Sequence, residues 1–318
     1  MKKRILITGA AGYIGNKLIH KLAEENTEAI ELVAGIDIKP PQEQMPHEKF
    51  EFHQCDIRSD ILDTLIKEKR INTIVHLASV VTPTKTMTRE LMYEIDVVGT
   101  KKLYESAIKH RVSQFVVTSS GAAYGYHHDN PEWLYEGDAL RGNKEFAYSD
   151  HKRLIEEMLS TYRKTNKLPQ QLILRPGTIL GKNVSNQITA LFEKKAIIGI
   201  QNATTPFVFI WDEDVVNIIL QGIKENKSGV FNLAGNGYVT LKEIANILKK
   251  PYVAIPAWVI KSVLWLLHKV KLTQYGPEQV RFLRYRPVLA NDTLKKEFPY
   301  TPTYTSKEVF EYYLNTKS

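Results

Sequence analysis

The sequence predicts an α/β fold in which a mostly parallel sheet is covered by helices on both faces. Three observations carry this. Short apolar runs alternate with helix-length segments through the first half of the chain; a glycine-rich turn separates the first run from the first helical segment; and an aspartate closes the second run.

The strands are expected at RILIT (4–8), IELVAGI (30–36), FEFHQC (50–55), TIVHLA (73–78), QFVVTS (114–119) and QLILR (171–175). Helical spacing fills 12–25, 59–69, 88–110 and 147–166 between them. After Gly177 the rhythm loosens. Residues 187–196 read as helical, DEDVVNIILQGIKE (212–225) as a helix with an acidic first turn, and VFNLA (230–234) as a further strand. Prolines at 251, 256, 277, 287, 299 and 302 mark turns in the remainder. The division expected is a dinucleotide-binding domain over 1–177 and a smaller substrate-binding lobe over 178–318, with elements near 205–235 returning to the first.

The longest apolar region, PAWVIKSVLWLLHKV (256–270), is interrupted by Lys261 and His268 and falls short of a membrane span. Val259, Val263, Leu266, Leu267 and Val270 follow helical spacing. An amphipathic or largely buried helix packed against the rest of the protein is expected, with a substrate lid or membrane-surface contact as its other uses.

With 318 residues, 43% hydrophobic and 25% charged, the composition is that of an ordinary globular protein able to bury a sizeable core. The single cysteine, Cys55, excludes an intramolecular disulfide and a zinc site built on several thiolates, and no metal is expected. A cytoplasmic setting follows, since the three apolar residues Ile5–Ile7 are too few for a signal-peptide core. The net charge of +8 is scattered in short Lys and Arg pairs without zinc-finger spacing, so an anionic small molecule, not nucleic acid, is the expected partner.

ITGAAGYIG sets Gly9, Gly12 and Gly15 between the first strand and a helix, where a tight turn, close backbone approach and a helix N-terminus suit a pyrophosphate. The spacing is GxxGxxG, which departs from the GxGxxG of the standard fingerprint. Asp37 closes the second strand 22 residues after Gly15, where a carboxylate can accept hydrogen bonds from both adenosine ribose hydroxyls. Its charge would repel a 2′-phosphate, which favours NAD over NADP, while Lys39 keeps the second open. Asp56, followed by Ile57, is placed to hold the adenine after the third strand.

AYSDHK (147–152) puts Lys152 one helical turn after Tyr148, a spacing that lets an ammonium favour phenolate. The same spacing occurs at Tyr13 and Lys17, Tyr238 and Lys242, and Tyr313 and Lys317, so the pair alone does not select a base.

Together these residues resemble the extended short-chain dehydrogenase/reductase family, and within it the NAD-dependent epimerase/dehydratase group that includes UDP-galactose 4-epimerase. The resemblance runs through TGAAGYIG (8–15), Asp37, DI (56–57), HLA (76–78), SSGAAYG (119–125), YSDHK (148–152) and LRPGTILG (174–181). It implies a Rossmann-type doubly wound sheet and selects Tyr148 and Lys152 from the four pairs, with Ser120 as the catalytic hydroxyl. Tyr13 and Lys17 then fall in the nucleotide loop, and the other two pairs read as surface helix. Lys152 would hydrogen-bond the nicotinamide ribose and lower the tyrosine pKa. The glycine loop with Tyr13 and Ile14, then Leu77, Ala78 and Ser79, and Pro176 and Gly177, would line the dinucleotide.

Some positions depart from the family pattern. Asp96 stands where many members have an asparagine, Thr178 where UDP-galactose 4-epimerase has another, and Phe207 where that enzyme has a phosphate-binding arginine. Thr178, Phe207 and Arg286 are the candidate substrate contacts, with Arg281 and Arg284 as further cations. Gly121 and Ala122 follow Ser120 where the dehydratases carry an Asp-Glu pair, which argues against dehydration. The resemblance thus implies a sugar epimerase, with a nucleotide sugar as substrate class, working by transient hydride transfer. Two alternatives stay open: a dehydrogenase or reductase of a less polar alcohol or ketone, and a non-catalytic NAD sensor. A homodimer paired through the helices of 88–110 and 147–166 is also implied.

Overall fold

A computed structural model of the chain describes residues 2–25, 28–41, 49–84, 86–165, 168–182, 184–270, 272–273 and 276–317. The first half alternates as the apolar rhythm requires: β1 (Lys3–Thr8), α1 (Tyr13–Glu24), β2 (Ile30–Asp37), β3 (Phe50–Gln54), α2 (Ile61–Glu68), β4 (Thr73–His76), α3 (Arg89–Tyr93), α4 (Gly99–Lys109), β5 (Gln114–Thr118), α5 (Ala147–Thr165) and β6 (Gln170–Pro176). The helix expected over 88–110 is continuous, but a π-helical turn at Glu94–Val98 joins α3 to α4. A short 3₁₀ turn, Gly121–Tyr124, follows β5.

Further along come β7 (Thr178–Leu180), α6 (Gln187–Phe192), β8 (Ile197–Ile200), β9 (Pro206–Phe207), β10 (Phe209–Trp211), α7 (Asp212–Lys224), β11 (Gly229–Leu233), β12 (Val239–Thr240), α8 (Leu241–Ile247), β13 (Tyr252–Ile255), α9 (Ala257–Lys269), α10 (Gln279–Arg284), α11 (Asp292–Glu297) and α12 (Ser306–Thr316). The helix expected over 187–196 ends at Phe192, because the chain turns into β8.

Seven parallel strands form the main sheet in the order β3-β2-β1-β4-β5-β6-β11. Successive residues of β1 serve opposite faces: Ile5 and Ile7 join one core with α1 and α7, and Leu6 joins the other with α2, α4 and α5. Strand order reverses between β1 and β4, so the carboxyl ends of these two strands splay connections to opposite sides and leave a crevice.

A third core holds the C-terminal lobe together around Phe192, Phe207, Phe209, Ile244 and Phe310, with β7–β10, β9–β12 and β8–β13 as two-stranded ladders. Helix α9 breaks the expectation of a packed element, since none of its residues is buried. No helix among the described residues is long and apolar enough to cross a membrane.

Candidate active site

The glycine loop sits at the reversal point. Gly9 has φ +73°, a left-handed conformation that suits glycine, and a side chain there would meet the Ala78 amide at 2.8 Å. A Cβ on Gly15 would lie 2.1 Å from the Gly9 carbonyl oxygen, so only hydrogen lets α1 start this close to the turn. Gly12 caps α1 without a side chain, which leaves the helix N-terminus open to an anion. Asp37 holds the turn from the side: its carboxylate accepts from the Ala11 amide at 3.1 Å and the Lys39 amide at 3.2 Å, and is still partly exposed.

The remaining expected cofactor contacts fall around this cradle. Leu77 and Ala78 leave β4 directly against Gly9, with the Leu77 amide bonded to the Thr8 carbonyl at 3.1 Å. Asp56 is bracketed by Arg58, whose Nε and Nη2 donate to it at 2.9 and 2.7 Å, so that guanidinium holds its carboxyl below the usual range. Ile57 beside it is buried. Tyr13 starts α1, yet its hydroxyl is directed away from the loop to Asp212 and to the Lys182 carbonyl. Gly177 follows β6 with its amide on the Leu233 carbonyl, and a Cβ there would meet the Val208 carbonyl at 2.9 Å.

Across the crevice, Ser120, Tyr148 and Lys152 converge from two elements. Ser120 lies two residues past β5 and caps the 3₁₀ turn, its hydroxyl accepting from the Ala122 amide at 3.1 Å. Ser149 then donates to the Ala122 carbonyl at 2.7 Å, pinning the first turn of α5 to that same 3₁₀ turn. This tie sets Tyr148 beside Ser120. Burial pushes the Tyr148 phenol up to about 12; the nearby Ser120 hydroxyl opposes the shift, and Tyr126 and Asp96 reinforce it. Lys152 directs its ammonium to the Thr118 carbonyl at 2.9 Å and lies 5.6 Å from the Tyr148 ring centre; burial draws its pKa below the ordinary value.

The same 5.6 Å separation recurs at Tyr13 and Lys17 and at Tyr313 and Lys317, so location separates these pairs and local geometry does not. Lys17 is taken by Asp212 and Glu213, and Lys317 by Glu193. Tyr313, expected on a surface helix, is buried in the lobe core because α12 packs that face inward.

Behind the wall formed by Ser120, Tyr148 and Lys152 lies a polar layer that the spacing of residues does not reveal. Asp96, at 2% exposure, sits in the π turn and accepts from the Val80 amide at 2.8 Å, the Ser79 hydroxyl at 3.1 Å and His151 Nδ1 at 3.1 Å. Burial raises its pKa, but these donors and Lys152 more than offset that and keep it low. His76 bridges the Thr8 hydroxyl at 2.7 Å and the Thr100 hydroxyl at 2.8 Å; burial, with Lys152 adding, pushes it down to about 3. Arg175 meets Glu156 through Nε and Nη2, at 2.7 Å for the shorter contact, and donates to the Tyr124 hydroxyl at 2.7 Å and the Glu136 carbonyl at 3.0 Å. Ser119 adds a bond to Glu156. His76 and His151 are both inside motifs quoted above; their partners lie 24 and 55 residues away and become visible only on folding.

A cleft of about 510 Å³ opens beside the wall, lined in part by Tyr126, His127, Arg141, Lys261, Arg281 and Arg284. Of the expected substrate contacts, Thr178 is partly exposed and accepts weakly from Arg286 at 3.4 Å. Phe207 is fully buried and lies under the Arg286 guanidinium at 4.1 Å, with Phe282 at 4.8 Å from the same group. One Arg286 nitrogen, Nη1, is buried without a partner, and burial lowers the pKa to about 10. Among the described residues, no group of three or more His, Cys, Asp or Glu is placed to hold a metal.

The fold and the chain are similar to known proteins along most of their length. A UDP-glucose 4-epimerase of Thermotoga maritima, solved with UDP-glucose, superposes with a TM-score of 0.76 at 18% identity, covering 98% of both chains. A UDP-glucuronic acid 4-epimerase of Bacillus cereus, solved with NAD, gives 0.74 at 19% identity with 98% of both covered. By sequence, a putative UDP-glucose 4-epimerase of Methanocaldococcus jannaschii is 26% identical over 258 residues, spanning 77% of this chain and 81% of that one. Residues 5–234 match the profile of the NAD dependent epimerase/dehydratase family, from β1 through the Leu233 end of β11, and the chain belongs to that family.

Proposed function

We propose that the protein holds NAD across the carboxyl end of its main sheet and epimerises a sugar, with a nucleotide sugar as substrate class, using Tyr148 as the proton-transferring group. One observation carries the reading: Ser120, Tyr148 and Lys152 converge beside a glycine turn whose shape forbids side chains. That turn suits the cofactor, because a Cβ at Gly9 or Gly15 would meet backbone and α1 presents an uncapped N-terminus beside the Asp37 carboxylate.

When bound, NAD would supply a hydride acceptor and a positive charge to the site. Tyr148, pushed up to about 12 by burial, would become a usable base with positive charge beside it. It then takes the proton of a substrate hydroxyl, while Ser120 donates a hydrogen bond to the same oxygen. The epimerisation would be complete when the keto sugar has turned, the hydride held meanwhile by the cofactor returns to the opposite face of the carbonyl carbon, and Tyr148 gives the proton back to its oxygen. Lys152, now bonded to the Thr118 carbonyl, would hold the nicotinamide ribose. Asp96 and His151 keep the α5 face fixed from behind.

A second reading, oxidation or reduction of a less polar alcohol or ketone, is favoured by the aromatic cluster of Tyr126, Phe146 and Phe282 beside the site, with ring centres 5.0 to 6.2 Å apart. Chromatographic assay of nucleotide sugars separates the two. Interconversion without net cofactor reduction supports the epimerase, and accumulation of reduced cofactor with an apolar alcohol supports the second. A homodimer paired through α3–α4 and α5, and a cytoplasmic setting, belong to the same proposal; light scattering on the purified protein tests the first.

A further inference from the structure

Helix α9 is unlike every other long helix of the protein, because its apolar residues stand in solvent. Trp258 is 70% exposed, Trp265 54%, Leu266 55%, and Leu272 just past the helix end 76%. Val263 and Val270 are half exposed as well. At 100° per residue, Ile260, Leu264 and Leu267 share one side of the helix, the side that is partly covered. Trp258, Trp265 and Leu266 lie on the other side, with Val263 and Val270 at the border between the two. An apolar helix face left open at this scale marks an interaction surface.

Charge indicates what covers it. From Lys249 to Gly276 the sequence contains five lysines and one histidine and no acidic residue. Lys261, His268 and Lys269 flank or interrupt the apolar face, and none is in an ion pair among the described residues; Lys269 stands 5.0 Å over the Trp265 ring. Arg284, on the neighbouring α10, shares the cleft wall with Lys261 and is likewise unpaired. Of the carboxylates nearby, Asp129 pairs with Arg141 and Glu145 with Arg281, while Glu278, past the end of the segment, accepts from the Gly276 amide. Tryptophans beside leucines and valines, with lysines around them and no carboxylates, are the chemistry of a helix that lies in the headgroup layer of an anionic bilayer. With 13 residues, α9 is too short to cross one.

We propose that α9 docks the protein onto anionic membrane surfaces, with Trp258, Trp265 and Leu266 inserted at the headgroup boundary and Lys261 and Lys269 facing lipid phosphates. Lys261 lines both the 510 Å³ cleft and the adjoining hollow beneath Trp258, so docking sets the cleft mouth at the lipid surface.

Flotation of the full chain with phosphatidylglycerol-containing and pure phosphatidylcholine vesicles tests this without cofactor or substrate. The wild type should float with the anionic vesicles about tenfold more than with the neutral ones, and added salt should weaken the effect. The combined Trp258→Ser, Trp265→Ser, Leu266→Ser variant should lose about tenfold or more of that binding at an unchanged melting temperature. A Lys261→Gln, Lys269→Gln variant should lose the preference for anionic lipid. A wild type that stays in solution, or a triple variant that floats as well as the wild type, overturns the proposal. So does a wild-type oligomer that the triple substitution turns into monomer, since a second copy would then be the occupant.

Discussion

The carboxyl end of the main sheet and the 251–276 segment are opposite solutions to placing side chains. At the sheet end, Lys152, Asp96, His151, His76, Arg175 and Glu156 are all buried, and each is bonded to a partner brought from elsewhere in the chain. In α9 nothing is buried, and tryptophan and leucine face water. Buried polar groups are costly unless satisfied, so the first region tolerates little change; exposed apolar groups contribute little to folding and answer to whatever binds them. Substitutions should therefore be large in effect in one region and nearly silent in the other.

The largest effect belongs to Tyr148→Phe. Removing the hydroxyl should lower turnover of a confirmed substrate by about 10³-fold, within the range for general acid-base groups, while leaving the melting temperature near wild type. Turnover unchanged would remove the proposed base. Next comes Arg175→Met, which strands the buried Glu156 carboxylate and should cost about 3–5 kcal/mol in urea unfolding. A loss under about 1 kcal/mol would mean that the polar layer behind the site is not what holds it.

His76 gives a smaller, pH-dependent effect. Its folded pKa is depressed to about 3, against roughly 6.5 unfolded, so above that pH it is neutral in both states and costs nothing. As pH falls below it, the unfolded chain binds a proton that the folded chain refuses, and stability declines until about pH 3. By pH 5 this amounts to about 2 kcal/mol. The His76→Gln variant, less stable overall, should lose that part of the slope between neutral pH and pH 5. Asp96→Asn should act in the subtlest way. Because the Asp96 charge raises the Tyr148 pKa, its removal should move the rising limb of the pH-rate profile to lower pH. The α9 triple variant completes the series, with stability within about 0.5 kcal/mol of wild type.

The same contrast explains what the sequence discloses. Parallel strands buried on both faces leave long apolar runs, so β1 to β6 and β11 could be placed within a residue or two. The strands β7 to β10, β12 and β13 have two to four residues and pair only in twos, which is below the length at which periodicity speaks. Gly9, Gly15, Ser120, Tyr148 and Lys152 were legible because loop and helix spacing bring them together locally or through a familiar order of motifs. The Asp96–His151 pair was not, since it depends on how α5 packs against the π turn. Helical spacing identified α9 but not its environment, because an apolar face reads the same whether a core or a bilayer covers it.

The central claim is that the glycine turn and the Tyr148 wall form one NAD site. Native mass spectrometry of freshly purified wild type and of Gly15→Ala, recording every small molecule released on denaturation and every nucleotide taken up on titration, tests it most directly. NAD retained or taken up by the wild type and lost in the variant, whose new Cβ would press on the Gly9 carbonyl, is the predicted result. A wild type that binds no NAD at any concentration tested, or a variant that binds it equally well, would contradict the account.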